Sequence, residues 1–121
     1  MSGGASAPQL LLVEDEALIA MQVEDMLEEL GCRVSAQPGG VADALVAVAA
    51  GGFAAALLDL SLGGEAAWPV ADALAERAIP FAFCSGSTDG VPPRHAAVPV
   101  LTKPYGSGQL RVVVDQLLGR S

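Results

Sequence analysis

Four short apolar runs in this chain each end, at their carboxyl side, on a group that can engage phosphate or a metal ion. Residues 10–13 lead into Glu14, Asp15 and Glu16, and residues 53–58 end at Asp59. Residues 81–84 end at Ser85, and residues 98–102 end at Lys103, the only lysine. In an open parallel sheet, ligands sit in the crevice outside the carboxyl ends of the strands. If the four runs are neighbouring strands, carboxylates, a hydroxyl and an ammonium converge there. Carboxylates packed this closely raise one another's pKa unless a cation joins them. Magnesium suits the set, because it takes oxygen ligands, keeps several waters and binds substrate phosphate. Asp15 and Asp59 are expected as direct ligands and Glu14 as one acting through water, with a backbone carbonyl near Ser61 completing the protein's share. Asp59 is then placed as a carboxylate nucleophile. Lys103 can pair with one phosphate oxygen and the Ser85 hydroxyl can donate to another. Taken singly, each residue has a plain structural reading as a cap or turn former. Their joint order along the chain is what points to phosphoryl chemistry.

The elements that must position these groups follow from periodicity. Residues 9–14 suit a buried strand. Helical spacing takes over at 16–30, with Ile19, Val23, Met26, Leu27 and Leu30 on one face and Glu24, Asp25, Glu28 and Glu29 largely on the other. Gly31 stops it. Residues 33–37 predict a second strand and Pro38-Gly39-Gly40 a turn. An alanine-rich helix over 41–50 points Val41, Leu45 and Val48 inward. A third strand covers about 53–59, and Gly63-Gly64 marks a loop. Pro69 opens a helix to about residue 78, with Val70 and Leu74 inward. The fourth strand begins at Pro80 and the fifth covers 98–101. A final helix, 109–118, buries Leu110, Val113, Val114 and Leu117. Strand and helix alternating across five strands predict an α/β fold, a doubly wound five-stranded parallel sheet of flavodoxin-like order 2-1-3-4-5. That order sets Glu14 and Asp15 beside Asp59. Between Ser85 and Val98, Gly90 and Pro92-Pro93 leave room for one helical turn at most, so the fourth helix is short or missing. Residues 1–8 read as a disordered tail and 9–119 as the domain.

Composition bounds the possibilities. A chain of 121 residues with 52% apolar and 17% charged residues is one globular domain. No apolar run of about 20 residues and no basic leader segment is present, which predicts a cytoplasmic protein without a membrane partner. A net charge of −8 and scattered arginines argue against nucleic acid and favour metal cations and basic protein surfaces. Cys32 and Cys84 read as buried free thiols. His95 reads as a solvated loop residue and Trp68 as a packing residue at a helix start.

In these residues the chain resembles the receiver domain of two-component response regulators, over residues 9–118. The resemblance implies that Asp59 accepts a phosphoryl group from a histidine kinase or phosphotransfer protein. It further implies Mg²⁺ at Glu14, Asp15 and Asp59, with Ser85 and Lys103 on the phosphate and a Lys103-Pro104 peptide of a kind often cis. Asp59-Leu-Ser-Leu-Gly-Gly-Glu, Trp68-Pro-Val-Ala-Asp and Ile79-Pro-Phe-Ala-Phe-Cys-Ser-Gly resemble a narrower group. These are alphaproteobacterial single-domain receivers with a Phe-Ala-Thr-Gly motif, linked to stress signalling and tending to lack a regular fourth helix. Phe83-Cys84-Ser85-Gly86 departs from that motif twice, although serine keeps the hydroxyl. Ordinary receivers place Tyr or Phe where Val100 stands; Tyr105 is expected to pack or lie at the surface instead. The signal is therefore expected to travel by ordering of loop 87–97. The implied function is a phosphoacceptor, active at most on its own phosphate, with an output protein as partner. The chain is read as stand-alone, or as part of a longer protein such as a hybrid kinase. Three other readings compete. A haloacid-dehalogenase-type phosphatase would want a second Asp where Ser61 stands. A receiver-like interaction module is opposed by the intact Asp15, Asp59 and Lys103, and a flavodoxin-like cofactor module by the carboxylates.

Overall fold

The computed structural model describes residues 7–86 and 90–120. Most of the expected tail, and residues 87–89 of the loop expected to order, lie outside the described residues. In chain order the elements are β1 (Gln9–Val13), α1 (Ala17–Glu29), β2 (Arg33–Ala36), α2 (Val41–Ala50), β3 (Ala55–Asp59), β4 (Ser61–Leu62) and β5 (Glu65–Ala66). They continue with α3 (Trp68–Glu76), β6 (Phe81–Ser85), a 3-10 turn (Pro93–His95), β7 (Val100–Thr102) and α4 (Ser107–Leu118). Five strands form one sheet of order β2-β1-β3-β6-β7, and every pairing in it is parallel. This is the doubly wound order that the sequence predicts.

Parallel strands covered on both faces need apolar residues at consecutive positions rather than alternate ones. β3 shows this: all five of its residues, Ala-Ala-Leu-Leu-Asp, are buried. Successive side chains project to opposite faces, so the core divides in two. Leu10, Leu12 and Leu57 meet Val23 and Leu27 of α1 and Leu110 and Val114 of α4. Leu11, Val13, Leu58 and Phe83 meet Val48 of α2 and Val70 and Leu74 of α3. Each fully buried Leu or Phe contributes about 1.5–3 kcal/mol, which holds the strand ends rigidly enough to carry a site.

Several local expectations are corrected. Leu45 is 36% exposed; Val48 is buried as expected, and Ala44, one helical turn before it, faces the core in place of Leu45. The last helix starts at Ser107 because Gln109 Oε1 accepts the Gly106 N–H at 2.6 Å and organises an earlier first turn. The last strand starts at Val100, since the Val98 N–H is taken by the His95 carbonyl. The loop marked by Gly63-Gly64 is a small antiparallel hairpin, β4 with β5, whose turn uses both glycines at positive φ. The fourth helix is reduced, among the described residues, to the single turn Pro93–His95. Among those residues, no helix is long and apolar enough to cross a membrane.

Candidate functional site

Sheet register sets the site. Val13 pairs with Leu58, Asp59 with Cys84, and Ser85 with Thr102, so Glu14, Asp59, Ser85 and Lys103 leave adjacent strands at one edge. Glu14, Asp15 and Asp59 each offer a carboxylate oxygen, and these oxygens lie within 4.8 Å of one another. Glu14 and Asp59 are buried, whereas Asp15 is exposed.

Each carboxylate is held by backbone. Glu14 Oε2 accepts the Glu16 N–H at 3.2 Å, Asp59 Oδ1 the Ser61 N–H at 3.2 Å, and Asp15 Oδ2 the Gly63 N–H at 2.9 Å. The β4–β5 hairpin thus supplies two of the three donors, which explains why the chain turns so tightly after Asp59. The Glu14 peptide is also clamped: its N–H donates to the Pro38 carbonyl and its carbonyl accepts from Gln37 Nε2 at 2.8 Å. Lys103 Nζ donates to Glu14 Oε1 at 3.1 Å and to Asp59 Oδ2 at 3.0 Å. Its backbone N–H donates to the Ser85 carbonyl at 2.7 Å, and the Lys103–Pro104 peptide is cis.

Burial pushes the Glu14 carboxyl above the usual carboxylate range, against the pull of the Glu16 N–H and Lys103. The Gly63 N–H holds Asp15 below that range. For Lys103, burial disfavours the ammonium, but the hydrogen bonds it donates to Asp59 and Glu14 outweigh it and its pKa is raised. With all groups ionised, three carboxylates face one ammonium. An all-oxygen donor set with two surplus negative charges fits a hard divalent cation.

Glu14, Asp15, Asp59 and Lys103 are therefore brought together as expected. Ser85 stands half-buried at the end of β6, and Ser61 lies two residues beyond Asp59, opposite Ala66. Cys32 and Cys84 are buried free thiols, and burial pushes the Cys84 thiol up to about 12. Tyr105 packs against the α1–α4 core, and burial raises its hydroxyl's pKa. Trp68 packs edge-on against Phe83, ring centroids 5.7 Å apart.

His95 is the residue the sequence misplaces. It is only 4% exposed, with its ring edge-on to Phe81 and Phe83, centroids 6.0 Å away in each case. Its Nε2 lies 2.8 Å from Asp72 Oδ1. Gln37 is a second residue of the site that sequence reasoning missed. The available signals were a phenylalanine pair two residues apart, lacking a covering helix, and the polar turn after the second strand.

A parallel sheet of this strand order whose carboxyl edge gathers an acidic cluster and a lysine has the arrangement of a receiver domain, and comparison with solved structures agrees. SdrG from Sphingomonas melonis Fr1 is 46% identical with a TM-score of 0.82, over 94% of this chain and 98% of that one. The REC domain of the Erythrobacter litoralis PhyR response regulator is 26% identical with a TM-score of 0.79, over 97% and 94%. The receiver domain of the Pseudomonas aeruginosa PAO1 sensor histidine kinase PA1611, which has a magnesium ion coordinated in its active site cleft, shares the fold. Its identity is 20% and its TM-score 0.78, over 93% and 98%. The chain belongs to the response regulator receiver family. No protein-family model matches it, and no curated protein does.

Proposed function

We propose that this receiver takes a phosphoryl group onto Asp59 from the phosphohistidine of a histidine kinase or phosphotransfer protein, in a Mg²⁺-dependent reaction, and signals by contact with an output protein. The observation that carries this reading is the Asp59 carboxylate held at 3.0 Å by Lys103 inside the acidic cluster. An Asp59 oxygen attacks phosphorus; the P–O bond forms as the P–N bond of the donor breaks, and the imidazole leaves with the electron pair. Lys103 pairs with a phosphoryl oxygen in exchange for its carboxylate partners, and the Ser85 hydroxyl donates to another. Mg²⁺, held by Glu14, Asp15, Asp59 and a carbonyl near Ser61, would neutralise carboxylate and phosphoryl charge. The protein's own share is to fix the acceptor and to screen it.

Leu18 and Met21 on α1 are 75% and 59% exposed, about one and two turns beyond Glu14 and Asp15, and give a donor protein an apolar foothold next to the acceptor. The net charge of −8 suits a donor with a basic surface. Ser61, standing where a dehalogenase-type phosphatase would carry its second Asp, offers no acid–base group, which favours acceptance over turnover. Residues 9–119 would form the working domain, in the cytoplasm. Incubation with acetyl phosphate and Mg²⁺, followed by intact-mass spectrometry, tests the reading. The wild type should gain one phosphoryl group, and Asp59→Asn, or the wild type with EDTA, should gain none. An unmodified wild type would refute it.

A further inference from the structure

The segment 91–98 occupies the place of a fourth helix, and among the described residues the backbone bonds its N–H groups make lie within the segment. The His95 N–H donates to the Pro92 carbonyl, the Ala96 N–H to Pro93, and the Val98 N–H to His95. Among the described residues, its side-chain polar attachment to the rest of the molecule is one carboxylate on α3. Asp72 receives Arg94 Nε at 2.8 Å on Oδ1 and Arg94 Nη2 at 3.1 Å on Oδ2, while His95 Nε2 lies 2.8 Å from Oδ1. Two consecutive residues of the segment thus share a single anchor.

The two halves of this attachment differ in character. Arg94 and Asp72 are 55% and 46% exposed, so water competes for their fork. His95 is a buried plug seated edge-on against the paired rings of Phe81 and Phe83, and it depends on Asp72 for its Nε2. If Asp72 lets go, the imidazole is left buried without that partner, an expensive arrangement. Plug and fork therefore release together, which makes the attachment two-state rather than gradually elastic.

Contacts also join it to Asp59. Asp59 Oδ1 holds the Ser61 N–H, and the hairpin begun by Ser61 runs directly into Trp68, the first residue of α3 and one turn before Asp72. The Trp68 ring abuts Phe83, and Phe83 abuts His95. Asp59 Oδ2 holds Lys103, whose N–H is bonded to Ser85, two residues after Phe83. Whichever oxygen forms the bond to phosphorus, one of these donors loses an anionic acceptor, and either path ends on the same rings.

We propose that Asp72, Arg94 and His95 form a releasable latch that stands in for the fourth helix, and that phosphoryl loading at Asp59 opens it, freeing segment 91–98 from α3, the reverse of the ordering that the sequence leads one to expect for this loop. The second half rests on the receiver reading above.

Amide hydrogen exchange on the full chain tests both halves. In the wild type without phosphate mimic, the Ala96 and Val98 amides should be protected. Asp72→Asn should lower their protection at least tenfold while β3 amides stay unchanged, which shows the fold intact. Arg94→Ala, at an exposed position, should give a smaller loss in the same amides. Beryllofluoride with Mg²⁺ should bring the wild type to the exchange of Asp72→Asn, and should change Asp72→Asn little further. Undiminished protection of Ala96 and Val98 in Asp72→Asn would overturn the latch. Undiminished protection in wild type shown by mass to carry beryllofluoride would overturn its coupling to Asp59. Failure of the wild type to bind beryllofluoride would strike the receiver reading and the coupling with it, while the variants still decide the latch.

Discussion

Lys103 Nζ stands 3.0 Å from Asp59 Oδ2 and 3.1 Å from Glu14 Oε1, so one ammonium bridges the proposed acceptor and a carboxylate proposed to serve the metal. The two carboxylates are buried and the lysine is only 23% exposed, so the bridge is well shielded from water. Arriving phosphate and metal must compete with this bridge, and together they can replace it, because each supplies the charge that the lysine and carboxylates exchange.

Lys103→Ala removes the cation and leaves Glu14 and Asp59 facing each other. Breaking a buried pair by removing one partner costs roughly 3–5 kcal/mol when no cation replaces it. The variant should therefore be less stable in EDTA, recover part of the loss in Mg²⁺, and acquire phosphate from acetyl phosphate more slowly than the wild type. Thermal unfolding with and without Mg²⁺, paired with a mass-spectrometric time course, measures both effects. Equal stability in EDTA would contradict the bridge.

Asp15 is the exposed member of the cluster, and its Gly63 partner is a backbone amide. Asp15→Asn should leave the fold intact and weaken Mg²⁺ binding. A ligand at 100 times its Kd stabilises by about 2.7 kcal/mol, so Mg²⁺ should raise the melting temperature of the wild type clearly and that of Asp15→Asn much less. An equal Mg²⁺ response would remove Asp15 from the metal site.

The Cys84 thiol, pushed up to about 12 by burial, is ionised to roughly one part in ten thousand at pH 8. Cys32 is equally buried. Neither should react appreciably with Ellman's reagent in the native protein, and both should react once guanidinium unfolds it. Rapid native labelling would contradict the packing.

Arg94, and after it His95, hold the Asp72 carboxyl below its ordinary value of 3.8. A carboxyl depressed in the folded state contributes stability that is present above its unfolded value and lost as pH falls through the folded one. The stability difference between wild type and Asp72→Asn should therefore be constant at neutral pH and shrink below about pH 3.8. Denaturant titrations at several pH values would show it; a constant difference down to pH 2 would contradict it.

The site's residues were legible because each parallel strand is an uninterrupted apolar run that stops on a polar group at the sheet's functional edge. Alternation of strand and helix then fixed which ends are neighbours. What could not be read depends on tertiary context. His95 is a lone histidine after Pro92-Pro93, and nothing local shows that Phe81 and Phe83 need a cover or that Asp72 waits on α3. Helix α2, Val-Ala-Asp-Ala-Leu-Val-Ala-Val-Ala-Ala, is apolar around most of its circumference, so its phase is ambiguous and periodicity alone points Leu45 inward. The β4–β5 hairpin has two residues per strand, too few to display a period.

The central claim is that Asp59 is the residue that carries the phosphoryl group. Borohydride reduction of acetyl-phosphate-treated protein, followed by peptide mapping, tests it directly, because an aspartyl phosphate is reduced to homoserine while a free carboxylate is not. The account predicts homoserine at position 59 in the wild type, dependent on Mg²⁺, with every other Asp unchanged. Homoserine at Asp15 or elsewhere, or none under conditions that fully phosphorylate a control receiver, would contradict it.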